Sequence, residues 1–385
     1  MAAKRTPIGA FQGALSQATA PHLGAAAAKA AIEAAGLQGS DIQEVILGCV
    51  LPAGLGQAPA RQAALGAGIP TSTPATTVNK MCGSGLKTVM LAADQIRAGG
   101  AQIILAGGME SMTNAPYFLP KARSGYRMGH GEILDHMFYD GLQSPFDGKL
   151  MGCFADATAG KYAFTRESQD AFAAESVRRA LSAMQSGAFE SEITPVTVKT
   201  RKGELVVRQD ETPGTCDISK ISSLKPAFGK EGTVTAASSS SISDGAAAVV
   251  LTTAGVARER GLKPIARILG YSSHAHEPEW FTTAPVGAIH KTLSRLGWKS
   301  GDVDLYEINE AFAAVTLAAI HDLQLDPARV NINGGACALG HPIGATGARI
   351  LTTLIHALVR TGGRRGIASL CIGGGEAVAM AVERL

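Results

Sequence analysis

Residues 84–110, SGLKTVMLAADQIRAGGAQIILAGGME, decide how the chain folds. Gly85 to Ala98 reads as a helix, rich in residues with good helix propensity and closed by Gly99-Gly100. Ile103-Ile104-Leu105-Ala106 is a short apolar run with the look of a buried strand. Gly107-Gly108-Met109-Glu110 ends the unit. Residues 346–376, TGARILTTLIHALVRTGGRRGIASLCIGGGE, repeat the scheme: Thr346-Gly347, a helix, Gly362-Gly363, a strand and Gly373-Gly374-Gly375-Glu376. The second unit has 31 residues against 27. Either two similar β–α–β units arose by chance, or the chain is internally duplicated. Duplication puts Cys82 and the 341–347 loop at equivalent strand-to-helix turns facing a shared crevice.

Outward from these units the rhythm continues. His22 to Ala35 suits a helix with Gly36 as its stop, and Val45 to Val50 reads as a buried strand. The alternation argues for α/β architecture with mostly parallel sheets covered by helices. Between the halves lies a polar stretch, 112–241, longer than an ordinary loop. It contains one amphipathic helix candidate, Glu167 to Gln185, and reads as an inserted lobe. Its end, Ser238-Ser239-Ser240-Ser241, is either a flexible linker or a binding turn of hydroxyls and backbone.

The bulk numbers narrow the function classes. Glycine is 46 of 385 residues, about 12% against roughly 7% on average, and these glycines punctuate apolar runs. That favours tight turns and close backbone approaches. A formal charge of +3 predicts no nucleic-acid partner. No apolar run is long enough for a membrane helix, and the first residues lack a signal-peptide core. Six cysteines without a Cys-x-x-Cys pair suit a reducing cytoplasm. His274-Ala275-His276 is either a metal-binding pair or a solvated loop, and no metal is expected.

The candidate chemistry lies in three glycine-flanked places. Cys82 stands in Asn79-Lys80-Met81-Cys82-Gly83-Ser84-Gly85, just before a helix. A helix N-terminus lowers a thiol pKa and offers N–H donors to an oxyanion. His341 stands in the loop from Asn333 to Gly347, held between Gly340 and Pro342, so that its ring direction is set. Cys371 precedes Gly373 at the end of a strand-like run and is either a second reactive thiol or a core residue. Asn309, in Asn309-Glu310-Ala311-Phe312-Ala313, is either a helix N-cap or the holder of a water or carbonyl oxygen. Cys49, Cys153, Cys216 and Cys337 read as packing residues. One histidine and two cysteines in such surroundings are the parts of a thiol acyl-transfer site.

These segments, together with Arg5-Thr6-Pro7-Ile8-Gly9, Gly56 to Gln62 and Gly107 to Met112, resemble the thiolases, in their acetyl-CoA acetyltransferase group, over nearly the full length. The resemblance implies duplicated halves in an α/β/α/β/α layering, with 1–111 and 242–263 as the N-terminal half, 112–241 as a coenzyme A-binding loop domain and 264–385 as the C-terminal half. It implies that Cys82 takes the acyl group, that His341 activates it, and that Cys371 moves the α-proton of the second substrate. The N–H groups of Cys82 and Gly373 would form one oxyanion hole, and His341 with a water held by Asn309 the other. Leu142, Met151, Ser240, Ala311 and Phe312 would line the pantetheine and acyl path. The reaction would join two acetyl-CoA into acetoacetyl-CoA and CoA, reversibly, with acyl-CoA and CoA as partners and no cofactor. A homodimer or homotetramer is implied as well.

The chain departs from the familiar short-chain pattern at Leu150 for histidine, Phe281 for methionine, Ser238 for asparagine and Glu376-Ala377 for Gln/Met-Gly. No arginine near Pro213 matches the one expected over the adenine, and the first family strand is short. The alternatives are a broad-range degradative 3-ketoacyl-CoA thiolase of fatty-acid β-oxidation, a ketosynthase-type condensing enzyme and a silent acyl-CoA-binding protein. A ketosynthase should carry a second histidine in place of Cys371.

Overall fold

The structure, a computed structural model, describes residues 2–201 and 203–385. The first sheet holds β1 (Ala2–Arg5), β2 (Glu44–Gly48), β3 (Ala75–Val78), β4 (Ile103–Ser111) and β5 (Ser243–Thr252), in the order β1-β5-β4-β2-β3. A two-residue strand, Gly9–Ala10, adds to the start of β5. The outer face of this sheet is covered by α1 (Ala20–Ala34) and α2 (Pro59–Gly66), whose alanines pack on Val45, Leu47, Leu105 and Met109. Its inner face carries α3 (Ser84–Arg97).

The chain then leaves the sheet. Residues 112–241 hold α4 (Met151–Lys161), α5 (Arg166–Gln185) and two small hairpins before β5 returns beside β4. The second sheet follows: β6 (Ala266–Ala275), β7 (Leu305–Ile308), β8 (Arg365–Ile372) and β9 (Glu376–Arg384), ordered β6-β9-β8-β7. Its outer face packs on α6 (Ala284–Leu296) and α7 (Ala313–Leu323), and its inner face on α8 (Thr346–Thr361).

One apolar cluster joins Leu86, Val89 and Met90 of α3, Ile350, Leu354 and Leu358 of α8, Ile104 and Ala106 of β4, and Leu370, Val378 and Met380 of the second sheet. The layers are therefore helix, sheet, paired central helices, sheet, helix, as the family resemblance implies. The duplicated glycines at 85 and 347 lie where the two central helices meet backbone to backbone. A Cβ at Gly85 would stand 2.7 Å from the Ala348 nitrogen, and one at Gly347 2.3 Å from the Leu86 nitrogen. Any side chain there would push the helices apart.

Two expectations need correction. The sheets are mixed, not mostly parallel. β2–β3, β2–β4 and β7–β8 are parallel, whereas β1–β5, β5–β4, β6–β9 and β8–β9 are antiparallel. Only the turn 373–375 joins β8 to β9, too short for a crossover, so it reverses the chain. β5 enters from the long excursion and not through a helix crossing the sheet, so the rule for β–α–β units does not set its direction. In addition, the two central helices are entered differently. α3 follows β3, but the 341–347 loop follows the short helix Ala336–Leu339, and the counterpart of β3 beside β7 is reduced to one parallel bridge, Tyr306 with Val330.

Candidate active site

Cys82 sits on a strained turn. Met81 before it has φ +48°, the left-handed region that a long side chain enters only under constraint. The constraint is Ser84, whose hydroxyl donates to the Met81 carbonyl at 2.6 Å and accepts from the Lys80 N–H at 2.8 Å. The turn leaves Cys82 half-buried at the start of α3. The backbone N–H groups of Gly373 and of Cys82 itself are directed at its sulfur. Burial nevertheless pushes the thiol up to about 11, and the buried Glu110 carboxylate adds to this, while those N–H groups draw it down. The expected lowering of the pKa is thus overturned: desolvation outweighs the helix terminus.

His341 lies buried on the facing turn. Its backbone N–H donates to the Ser241 carbonyl at 3.1 Å. Its Nδ1 lies 2.6 Å from the Thr346 hydroxyl, which itself donates to the Pro342 carbonyl at 2.9 Å. A hydroxyl has one proton to give, so it accepts from Nδ1–H, and Nε2 carries the free lone pair. Among the described residues Nε2 has no partner, although it is buried. Burial, with a smaller contribution from Arg349, lowers the imidazole to about 3, so it is neutral near pH 7. The loop is pressed against the Cys82 turn: Ile343 shares an apolar cluster with Met81 and Cys82.

Cys371 is fully buried at the end of β8. Burial holds its thiol well above the usual range, and the charge of a nearby Cys82 thiolate adds to this. The second thiol is therefore within electrostatic reach of the first. Around Cys371 pack Met151, Phe154, Phe228, Phe281, Ala311 and Phe312. Phe281 meets Phe154 edge to face at 6.1 Å.

Of the residues expected along the pantetheine and acyl path, Met151, Ala311 and Phe312 share this cluster, while Leu142 packs with Cys82 instead. Ser240 donates its N–H to the Ala311 carbonyl at 2.9 Å, and the Ala313 N–H donates to the Ser238 carbonyl at 2.8 Å. The 238–241 serines form an ordered turn clamped to the 311–313 segment, so the flexible-linker alternative falls away.

Asn309 is not an N-cap. α7 begins four residues later, at Ala313, because residues 309–312 continue in non-helical conformation beside the serine turn. The Asn309 side chain is buried, yet neither its Oδ1 nor its Nδ2 has a partner. A buried amide of this kind needs a water or a ligand oxygen.

Three features escaped sequence reading. Glu110, buried at the end of β4, accepts from the N–H groups of Val50 (3.0 Å), Leu51 (3.2 Å) and Gly344 (2.9 Å). Burial pushes its carboxyl up to about 7 against these donors. It ties the His341 loop to the end of β2. Its signal was a carboxylate within an otherwise apolar strand segment. Glu310 does the same for the start of that loop, accepting from Ser176 (2.6 Å), Asn331 (2.9 Å) and the Cys337 N–H (3.1 Å). Lys80, two residues before Cys82, pairs with Glu376 just after the glycine turn. All six cysteines are free, and among the described residues no group of three His, Cys, Asp or Glu is placed to hold a metal. His276 bonds the Trp280 carbonyl through Nε2 at 2.8 Å, with His274 edge-on to its ring.

Comparison with known proteins agrees with this arrangement. Residues 1–255 match the family model described as thiolase, N-terminal domain, and residues 262–384 that described as thiolase, C-terminal domain. Acetyl-CoA acetyltransferases of Pseudomonas aeruginosa and Escherichia coli are 50% and 51% identical over 387 residues, covering 100% of this chain and 98% of each relative. The crystal structure of the Bacillus anthracis acetyl-CoA acetyltransferase superposes with a TM-score of 0.98 at 43% identity, covering 100% of this chain and 98% of the other. The Acat5 thiolase of Ascaris suum, in complex with coenzyme A, superposes with 0.95 at 44% identity and the same coverage. On its sequence, its fold and the place of its two thiols and its histidine, the chain belongs to the thiolase family.

Proposed function

We propose that the protein is an acetyl-CoA C-acetyltransferase, joining two acetyl-CoA into acetoacetyl-CoA and CoA through an acyl-enzyme on Cys82. One observation carries the reading: two N–H groups converge on a half-exposed thiol that has a second thiol within electrostatic reach. The resting thiol and imidazole are both neutral. As the Cys82 sulfur adds to the first thioester carbonyl, its proton passes to Nε2 of His341, and the carbonyl oxygen gains charge beside the N–H groups of Cys82 and Gly373. CoA leaves with the proton of Cys371, which leaves Cys371 as a thiolate. That thiolate takes the α-proton of the second acetyl-CoA. The resulting enolate oxygen is held by Nε2–H of His341 and by a water on Asn309. The enolate carbon attacks acetyl-Cys82, and the departing Cys82 thiolate recovers its proton from His341. A thiol held far above neutral pKa suits Cys371, because a carbon acid yields only to a strong base.

Leu142, Met151, Ser240, Ala311 and Phe312 are the residues we assign to the pantetheine and acyl path, in a loop domain spanning 112–241. Phe281, buried against Phe154 beside Cys371, supports a short acyl pocket. The wholly apolar cluster there also suits the broad-range alternative. An assembly of two or four copies is supported by the uncovered edge of β3 and by exposed Tyr117, Met128, Ile133 and Phe146 in the lobe. A cytoplasmic location is supported by six unpaired cysteines and by the absence, among the described residues, of a helix long and apolar enough to cross a membrane.

The test is direct. The purified protein with acetyl-CoA alone should release free CoA, carry acetyl on the peptide containing Cys82 and form acetoacetyl-CoA. Thiolysis should be most efficient on the four-carbon 3-ketoacyl-CoA. Equal or better efficiency on eight-carbon substrates would replace this reading with the broad-range one, and absence of CoA release would end both.

A further inference from the structure

The N–H of Gly373 that faces the Cys82 sulfur belongs to a three-glycine turn whose ends are pinned by the pairing of Ile372 with Glu376 and whose middle is free of side chains. Gly374 and Gly375 have φ +94° and +89°, and Gly374 is exposed. Glycine at both places makes the required reversal possible and also leaves it soft. One end of the turn is fastened by the His276 N–H, which donates to the Gly375 carbonyl at 2.9 Å. On the other side the fastening is ionic. Glu376, the first residue of β9, pairs with the ammonium of Lys80, in the turn that presents Cys82. Both side chains are about one-third exposed, 30% and 33%, so the pair lies at the mouth of the crevice and not in the core.

This ion pair is a direct side-chain bridge between the two glycine turns, one from each half of the molecule, beside the apolar packing of Ile372 over Gly83. Lys80 is itself tied down, because its N–H donates to Ser84 and its carbonyl accepts from the Gly83 N–H at 3.1 Å. Glu376 is likewise held in register opposite Ile372 and Ala275. Each partner is thus rigid at its backbone, and the bridge fixes one turn relative to the other. The pair also falls at a position, Glu376, where this chain departs from the short-chain pattern.

We infer that Lys80 and Glu376 are positioning residues that hold the Gly373 N–H against the Cys82 sulfur, and that they act on the acyl-transfer step without touching substrate. The inference rests on Cys82 as the nucleophile. An exposed pair contributes little to stability, so its effect is expected in geometry, where a displacement of about 1 Å can cost up to ~100-fold in rate.

The variant Glu376→Gln keeps the shape and removes the charge. It should lower kcat on the order of tenfold and change KM for acetyl-CoA less than about twofold. The rate at which iodoacetamide caps the Cys82 thiol, read by mass spectrometry, should fall as well, because the thiolate loses an N–H donor. Lys80→Met cuts the same pair from the other side and should behave alike, so a failure of one variant to fold leaves the other. The exchanged pair, Lys80→Glu with Glu376→Lys, should recover most of the loss.

Unchanged kcat and capping rate in the single variants would overturn the inference. So would a loss that the exchanged pair does not recover, or a loss of thermal stability with capping unaffected. The capping arm needs no acyl-CoA. If the unaltered protein fails to take acetyl from acetyl-CoA, the proposed function falls, while capping still reports whether the pair governs the sulfur's surroundings.

Discussion

Cys82 and Cys371 carry the same side chain and end up as opposite chemical objects. Cys82 is half-exposed on a strained turn, backed by Met81 and Leu142 and faced by two N–H groups. Cys371 closes a fully buried strand, walled by Phe154, Phe228, Phe281 and Phe312. Burial raises both thiols, but the Cys82 sulfur faces a second N–H group, that of Gly373, beside its own, whereas the Cys371 thiol is drawn down by its own alone. The difference teaches that access and donors suit Cys82 to the proposed nucleophilic role, whereas an apolar wall suits Cys371 to the proposed role of strong base.

The sharpest way to break this contrast is Cys82→Ser. A hydroxyl is far harder to ionise than a thiol, so turnover should fall roughly a thousandfold or more. Peptide mass spectrometry of the unaltered protein after acetyl-CoA is the companion measurement, and acetyl found on the Cys371 peptide would reverse the two roles. Cys371→Ala comes next. Acetyl should still reach Cys82, while acetoacetyl-CoA formation should drop by about 100- to 10,000-fold, the range of a lost acid–base group. Normal condensation in that variant would remove Cys371 from the chemistry.

His341 extends the contrast to stability. It is held neutral in the folded state, near pKa 3 against an ordinary 6.5. Below about pH 6.5 the unfolded chain therefore binds a proton that the folded one refuses, and stability falls as pH falls through that window. Between pH 7 and pH 5 this contribution falls by about 2 kcal/mol, read as the difference between the denaturant titrations of the unaltered protein and of His341→Gln, because buried carboxyls act in the same window. Glu110 and Glu307 act with the opposite sign. Raised to about 7 and about 8 from 4.5, mainly by burial, they favour the folded state at low pH, and that contribution is lost as pH rises through their folded values. Glu307→Gln should flatten the fall of stability between about pH 4.5 and 8, a window that overlaps the one in which His341 acts with the opposite sign.

The smallest effect concerns the wall around Cys371. Phe281→Ala opens space beside the second thiol, so the preference for four-carbon over longer 3-ketoacyl-CoA should relax by roughly tenfold, the worth of a methylene or two in a tight pocket. An unchanged chain-length profile would show that Phe281 faces the core and not the acyl group.

Much of this was legible before any coordinates. The repeat of helix, double glycine and strand at 84–110 and 346–376 announced two like units, because glycine stops and apolar runs are local signals, while the layering with paired central helices came from the family resemblance. Cys82, His341 and Cys371 were found because glycines beside a reactive group mark a close backbone approach. Strand direction was not legible in β5, since a strand returning from a long excursion carries no mark of its polarity. At Asn309 the sequence left two readings open, N-cap or holder of an oxygen, because a good N-cap residue followed by helix formers looks the same whether or not the serine turn 238–241 holds residues 309–312 extended. The glutamates that anchor the His341 loop were invisible too, as their partners lie 234 (344 − 110) and 27 (337 − 310) residues away.

By itself, then, the sequence determined which residues to propose as reactive and that two like units build the molecule, since both follow from residue type and short-range pattern. The thiol pKa values were decided only by the tertiary structure. Helix position argued for a low value at Cys82, but the desolvation that raises it comes from segments far apart in the chain, and burial is a property of the assembled layers. The free lone pair on Nε2 of His341, the unpartnered amide of Asn309 and the Lys80–Glu376 bridge belong to the same class. Each depends on where side chains from distant turns finally stand, and only the packing of both halves around α3 and α8 sets that.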